Sequence, residues 1–307
     1  MLESVTCRAR VGARYRLPAD PVLLAHAGVV VLAVGVLLHG VGTPLTLGRL
    51  SWSASVIFDT TAMLTARRIV RLLPAGDPAR RFWRAYGFAA LAVGIGYLVQ
   101  LIVTAHGPVP PALMLGGPVT AALLGVAALT VVIVMCTYPL QISSRRGRAC
   151  FWLDMATVMV GAAAFGWFFS ARPASAGAAL GAELLVVLTG PVMMLVAVFA
   201  VAKLLIAGQP PFTVAAGLLG AGAPATGGLI AGPGPGLLAQ GHANWFFAIS
   251  AFGDACLMLA AVVQRRQVGA DPGTLRRTPA PAVQHAALPC AGRELHPADR
   301  RAVRPRP

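Results

Sequence analysis

Lysine is all but missing from this chain, and charge of either sign is scarce. Of its 307 residues 11% are charged, only 10 of them are acidic, and Lys203 is the sole lysine among 25 basic residues. A soluble globular domain carries about a quarter charged residues, so there is too little polar material here to coat a water-facing surface. The shortage of lysine also excludes a phosphate-binding loop, because Lys203 sits in VAKLLIAG with no glycine-rich turn before it. The five cysteines, Cys7, Cys136, Cys150, Cys256 and Cys290, form no CxxC pair, which predicts reduced, non-ligating thiols. HExxH and GxSxG patterns are absent as well, and with them two common signatures of hydrolytic chemistry. Gly220, Gly222 and Ala225 satisfy G-x-G-x-x-A. No strand pattern precedes them and no suitably spaced acid follows, so dinucleotide binding is excluded.

What the chain has in abundance is apolar residues, 57% of the total, with a mean hydropathy of +0.74. They arrive in blocks near the length of about twenty residues that a bilayer core requires. The blocks fall near Val22 to Leu38, Leu50 to Ala66, Ala85 to Thr104, Val119 to Tyr138, Phe151 to Ala171, Ala179 to Ile206, Thr213 to Ile230 and Asn244 to Val263. In hydrocarbon every backbone amide must be bonded within the protein, and blocks without strict alternation favour helices over barrel strands. The expected fold is therefore all-α, a polytopic transmembrane bundle of about eight helices. It occupies residues 21–265, between a basic segment over 1–20 and a tail over 266–307. That tail is rich in Arg, Pro and Ala without apolar periodicity, a composition that predicts disorder. The first block is read as a span and not as a signal peptide, since no small-residue cleavage pattern closes it. The weakest block, GLLGAGAPATGGLIAGPGPG, holds Pro224 among many glycines; it is either a kinked, closely packed helix or a partly re-entrant segment.

The net charge of +15 is a mark of nucleic-acid binders, but here the arginines lie in short segments between or beyond the apolar blocks, where they orient a membrane protein instead. Arg8, Arg10, Arg14 and Arg16 precede the first span. Arg67, Arg68, Arg71, Arg80, Arg81 and Arg84 fill the second connection, and Arg145, Arg146 and Arg148 the fourth. Lys203 ends the sixth span, and the remaining arginines, from Arg265 to Arg306, lie in the tail. Only Arg49 and Arg172 fall on the other side. Both termini are thus expected in the cytoplasm of a multi-pass inner (plasma) membrane protein. The tryptophans fit the same map: Trp83 and Trp152 at cytoplasmic ends, Trp52, Trp167 and Trp245 at outer ends, where indole rings prefer the headgroup level.

Ionisable groups inside a span cost about 2.5–3.5 kcal/mol even on the lenient insertion scale, so each needs a reason. Asp154 lies within helical reach of Arg148, and the pair is read as a cytoplasmic interfacial contact. Asp59 and Asp254 are well inside their spans and form the candidate intramembrane polar site, for a ligand or a proton. A bland alternative is a neutral acid bonded to Thr60, Thr61 or another helix. His39, His106 and His242 fall at outer helix ends together with Glu183, a candidate extracytoplasmic site for pH sensing or metal binding. Their spacing matches no local metal motif, so no metal or other cofactor is expected. His26 is read as a hydrogen bonder between helices. Ala90 with Gly94, and Gly228 with Gly232, have small-xxx-small spacing for close helix packing.

The second connection with RFWRAYGFAALAVGIGYL, the YPL and arginine loop leading into RACFWLDMATVMVGAAAFGWFF, and the long block ending AVAKLLIAGQPP carry a resemblance. It rests mainly on Trp83, Tyr138, Pro139, Arg148, Trp152, Leu153 and Asp154. The stretch from Leu50 to Arg266 resembles the multi-span sensory region at the front of actinobacterial membrane proteins that end in GGDEF and EAL cyclic-di-GMP domains. The resemblance implies a non-enzymatic sensor that passes a helix shift through Arg265 and Arg266 to a cytoplasmic signalling partner. Neither a GGDEF nor an EAL motif is present, so no cyclase or phosphodiesterase residue carries over. An orphan sensor, a partner-dependent regulator or a truncated reading frame each fits that departure. The rival expectation is a small proton- or cation-coupled permease in which Asp59 and Asp254 face one cavity. An intramembrane enzyme ranks last, for want of a nucleophile and base. The lipid bilayer is the one partner common to all, and oligomeric state is left open.

Overall fold

The computed structural model describes residues 20–105, 117–139, 211–231 and 234–270, with isolated positions between 149 and 160. They form helices α1 (Pro21–His39), α2 (Pro44–Leu72), α3 (Pro78–Ala105), α4 (Pro118–Cys136), α5 (Val214–Ala231), α6 (Gly234–Ala239) and α7 (Ala243–Ala270). No strand occurs among the described residues, as the unbroken apolar blocks predict.

Four helices begin the same way, with proline as the first helical residue, where its fixed φ suits the turn and its missing N–H is not needed. The residue before each proline is a small or capping one. Asp20 accepts from the Val22 amide at 3.0 Å, Thr43 from Thr46 at 3.2 Å and Asp77 from Ala79 at 2.8 Å, while Gly117 precedes Pro118 without a side-chain bond. At its far end α1 stops at Gly40, whose φ of 72° is the left-handed conformation glycine adopts without strain.

Helices α1, α3, α4 and α7 are long and apolar enough to cross a membrane, and the chain is a membrane protein. Two further blocks counted as spans behave differently. The α5 helix is continuous through Pro224 but shorter than those four. The α2 helix is 29 residues long, but Arg49, Asp59, Arg67, Arg68 and a run of serines keep it out of the apolar set. The span expected at Phe151 to Ala171, apart from isolated positions, and that at Ala179 to Ile206 lie outside the described residues, as do the 1–19 segment and the tail beyond 270. The α7 helix continues to Ala270, past the boundary at 265 read from composition.

Packing explains why α2 tolerates its polarity. It packs against both α3 and α7, while α4 packs on α3, and α5 and α1 pack on α7. One end of the bundle is closed by Ile69, Leu73, Phe82, Trp83, Met135, Phe212 and Val268; the other by Leu37, Leu47, Trp52, Phe246 and Phe247. The α1, α3 and α5 helices therefore run one way and α2, α4 and α7 the other. Arg266 at the end of α7 pairs with Asp20 at the start of α1, Nε to Oδ2 at 3.0 Å. Arg67, Arg68, Arg71, Arg80, Arg81 and Arg84 gather at this same end. At the opposite end stands Arg49, whose guanidinium donates to the Thr104 carbonyl.

Of the five tryptophans Trp152 and Trp167 lie outside the described residues, and the other three differ in their surroundings. Trp245 is exposed, as a headgroup anchor should be. Trp52 and Trp83 are buried: Trp52 packs edge-on against Phe247 at 5.9 Å, and Trp83 donates from Nε1 to the Pro211 carbonyl at 2.9 Å. Those two rings fill the protein interior, because the indole that reaches a helix end can serve a neighbouring helix as well as a lipid headgroup.

Candidate functional site

Midway between the two aromatic ends, the buried face of α2 is small and polar. Ser51, Ser55, Asp59, Ala62 and Ala66 recur at helical spacing and are all buried. Small residues let α7 and α3 approach closely. A methyl group on Gly94 of α3 would stand 3.3 Å from Asp59 Cβ, and Asp59 is 1% exposed. The facing stretch of α7 is built alike, from Ala251, Gly253, Asp254 and Ala255, all buried. Any side chain on Gly253 would collide with Thr226 of α5, and one on Gly222 would stand 2.7 Å from Cys256 Sγ. The close α5–α7 seam is therefore made in part by Gly222 and Gly253; of the Gly228 and Gly232 spacing noted in the sequence, Gly232 lies outside the described residues. On α3, Ala90 is buried and Gly94 meets Asp59, so that pair does serve packing.

The two acids singled out by sequence are brought together. Asp59 and Asp254 lie close enough for their carboxyl groups to interact electrostatically, and both line one cavity of about 560 Å³ bounded by α2, α3, α4, α5 and α7. Neither oxygen of Asp59, nor Oδ2 of Asp254, has a hydrogen-bond partner among the described residues. Tyr97 lies beside Asp254, and Ser55 is close to it without closing a well-formed bond; Ser250 lies beside Tyr97. The Tyr86 hydroxyl, near both acids, donates instead to the Leu257 carbonyl of α7 at 2.6 Å. Neither threonine expected as a partner bonds Asp59: Thr61 donates to Ile57 of its own helix at 2.8 Å, and Thr60 is exposed.

Two carboxyl groups in such a place cannot both be ionised and unpaired, since a buried charge needs a counter-charge and like charges side by side disfavour each other. Each open oxygen is a place for a proton or a cation. Of the supporting groups, Ser55 and Ser250 were missed in the sequence, although a signal existed. Each stands four residues before its acid, one helical turn away on the same face, so S-x-x-x-D occurs in both helices. Tyr86 and Tyr97 carry no local signature, because only the packing of α3 turns them toward the acids.

The other candidates fare differently. His39 and His242 are exposed at the same end of the bundle, where Asn244 donates to the Leu38 carbonyl at 3.1 Å. His106 and Glu183 lie outside the described residues, as do Arg148 and Asp154. Among the described residues no three acids, histidines or cysteines gather to hold a metal. His26 does not bond between helices as expected; its Nδ1 is 2.6 Å from the Val22 carbonyl of its own helix. Cys256 is a free, buried thiol. Comparison with protein-family models, with curated proteins and with solved structures finds no match to this chain.

Proposed function

We propose that the chain is a ligand-responsive sensory module of the plasma membrane, with a bundle that changes its packing when the Asp59–Asp254 site is occupied. The observation that carries this reading is a carboxyl pair on a cavity with three of its four oxygens unpartnered among the described residues, one member of which belongs to α7, the last described helix. From Asp254 to Arg266 α7 is unbroken, about 18 Å at 1.5 Å per residue, so a shift at the acid is felt where Arg266 meets Asp20. The resemblance to the sensory regions of cyclic-di-GMP proteins supports the same reading and suggests a cytoplasmic partner for the segment after α7. No catalytic step is part of it. Eight crossings with both termini inside are the matching topology, supported by the arginines gathered at the Asp20–Arg266 end; a reporter fused after Val263 and active in the periplasm overturns that map.

A second reading has its own observation. The two acids come from different helices and share one cavity, the arrangement a proton- or cation-coupled permease uses at its midplane. Trp52 and Trp83 line the same cavity, so indole emission of the full chain in lipid nanodiscs reports occupancy. The sensory reading expects emission to change on adding protons or sodium ions, the change to vanish in Asp59→Asn and Asp254→Asn, and proteoliposomes to show no uptake. Uptake abolished by Asp59→Asn replaces it with the permease. Emission indifferent to both substitutions ends both readings.

A further inference from the structure

The cavity is far larger than the acids in it require. A hard metal ion is held by six or more oxygens at about 2.0–2.6 Å, whereas the polar groups here are two carboxyls, a few hydroxyls and little else. Its volume of about 560 Å³ falls in the range of about 300–1,000 Å³ typical of sites for drug-sized organic molecules. The walls are chiefly apolar, with Trp52, Trp83, Tyr86, Tyr97 and Phe247 among them. Aromatic faces attract organic cations, most strongly once water is excluded. The two tyrosines that flank the acids put such faces beside the place where negative charge is available. An anion would meet two carboxyls, and a neutral apolar guest would leave Asp59 without a partner at either oxygen.

Resting on the reading of the acid pair as a ligand site, we propose that this cavity binds an organic cation of drug-like size. The ligand class is an amine or quaternary onium ion bearing apolar or aromatic groups, its charge held between Asp59 and Asp254 and its apolar groups against the rings of α2, α3 and α7. Sodium and protons are then lesser occupants of the same carboxyls.

Tetraphenylphosphonium is the probe, and tetraphenylborate, of the same size and shape but opposite charge, is its control. Saturable binding of labelled tetraphenylphosphonium to the purified full chain in micelles is expected, without competition from equimolar tetraphenylborate. Asp59→Asn with Asp254→Asn should weaken it at least tenfold. Ala128→Phe, which narrows the cavity from α4 and touches neither acid, should exclude the probe while leaving the indole response to sodium or protons intact. That second variant keeps the test independent of any effect of the acids on folding. Binding that survives the double substitution, or that tetraphenylborate displaces equally well, overturns the proposal. Absence of saturable binding with a preserved response to sodium or protons overturns the organic cation and leaves the carboxyl site standing. Absence of every response removes both.

Discussion

Helices α1 and α7 are nearly equal in hydropathy, 2.4 and 2.1 over their most apolar stretches, yet 11% of that stretch is buried in α1 and 72% in α7. Lipid and protein interior are alike in polarity, so hydropathy sends both helices into the bilayer without saying which becomes central. Side-chain size makes that choice. The α1 face is Leu and Val, with Leu24, Val31 and Leu32 exposed. The α7 face is Ala251, Gly253 and Ala255, which allows α2 and α5 to approach. The central helix is then the one able to carry an acid, because Asp254 on it is shielded from lipid by its neighbours.

The largest effect should come from enlarging the α7 seam. Gly253→Leu, driven into Thr226, should cost about 3 kcal/mol, seen as a lower midpoint in mixed-micelle unfolding; an unchanged midpoint would break the size argument. Next comes a gain. Asp59→Leu removes two unpartnered buried oxygens and should stabilise by about 1–2 kcal/mol while abolishing the indole response; a less stable variant would mean that Asp59 serves packing. Tyr86→Phe deletes the bond to Leu257 across the α3–α7 contact and should cost about 1 kcal/mol, read as a small fall in the same midpoint. Leu32→Ala, on the lipid face of α1 at 68% exposure, should change stability by less than about 0.5 kcal/mol. A loss near that of Gly253→Leu would show that another surface covers α1.

The placing of both acids inside their helices was legible in the sequence, since apolar length is a local property; the starts at Pro44 and Pro78 were not, for they lie well before the expected Leu50 and Ala85 and are set by proline and capping residues outside the apolar blocks. The burial of Trp52 and Trp83 was not, because an indole near a helix end suits a headgroup or a neighbouring helix equally. Nor was the polar tolerance of α2. Its serines and Asp59 read as a weakness in a span until α3 and α7 were seen to enclose them.

By itself the sequence determined that these segments are helices, that several of them belong in a bilayer, and that two acids would lie among apolar neighbours. Those outcomes follow from backbone hydrogen bonding and transfer energies, which each segment satisfies alone. Only the tertiary structure decided that Asp59 and Asp254 meet, that aromatic rings wall the space beside them, and that α7 links that space to Arg266. Such relations depend on how small residues let one helix approach another, and no single segment holds that information.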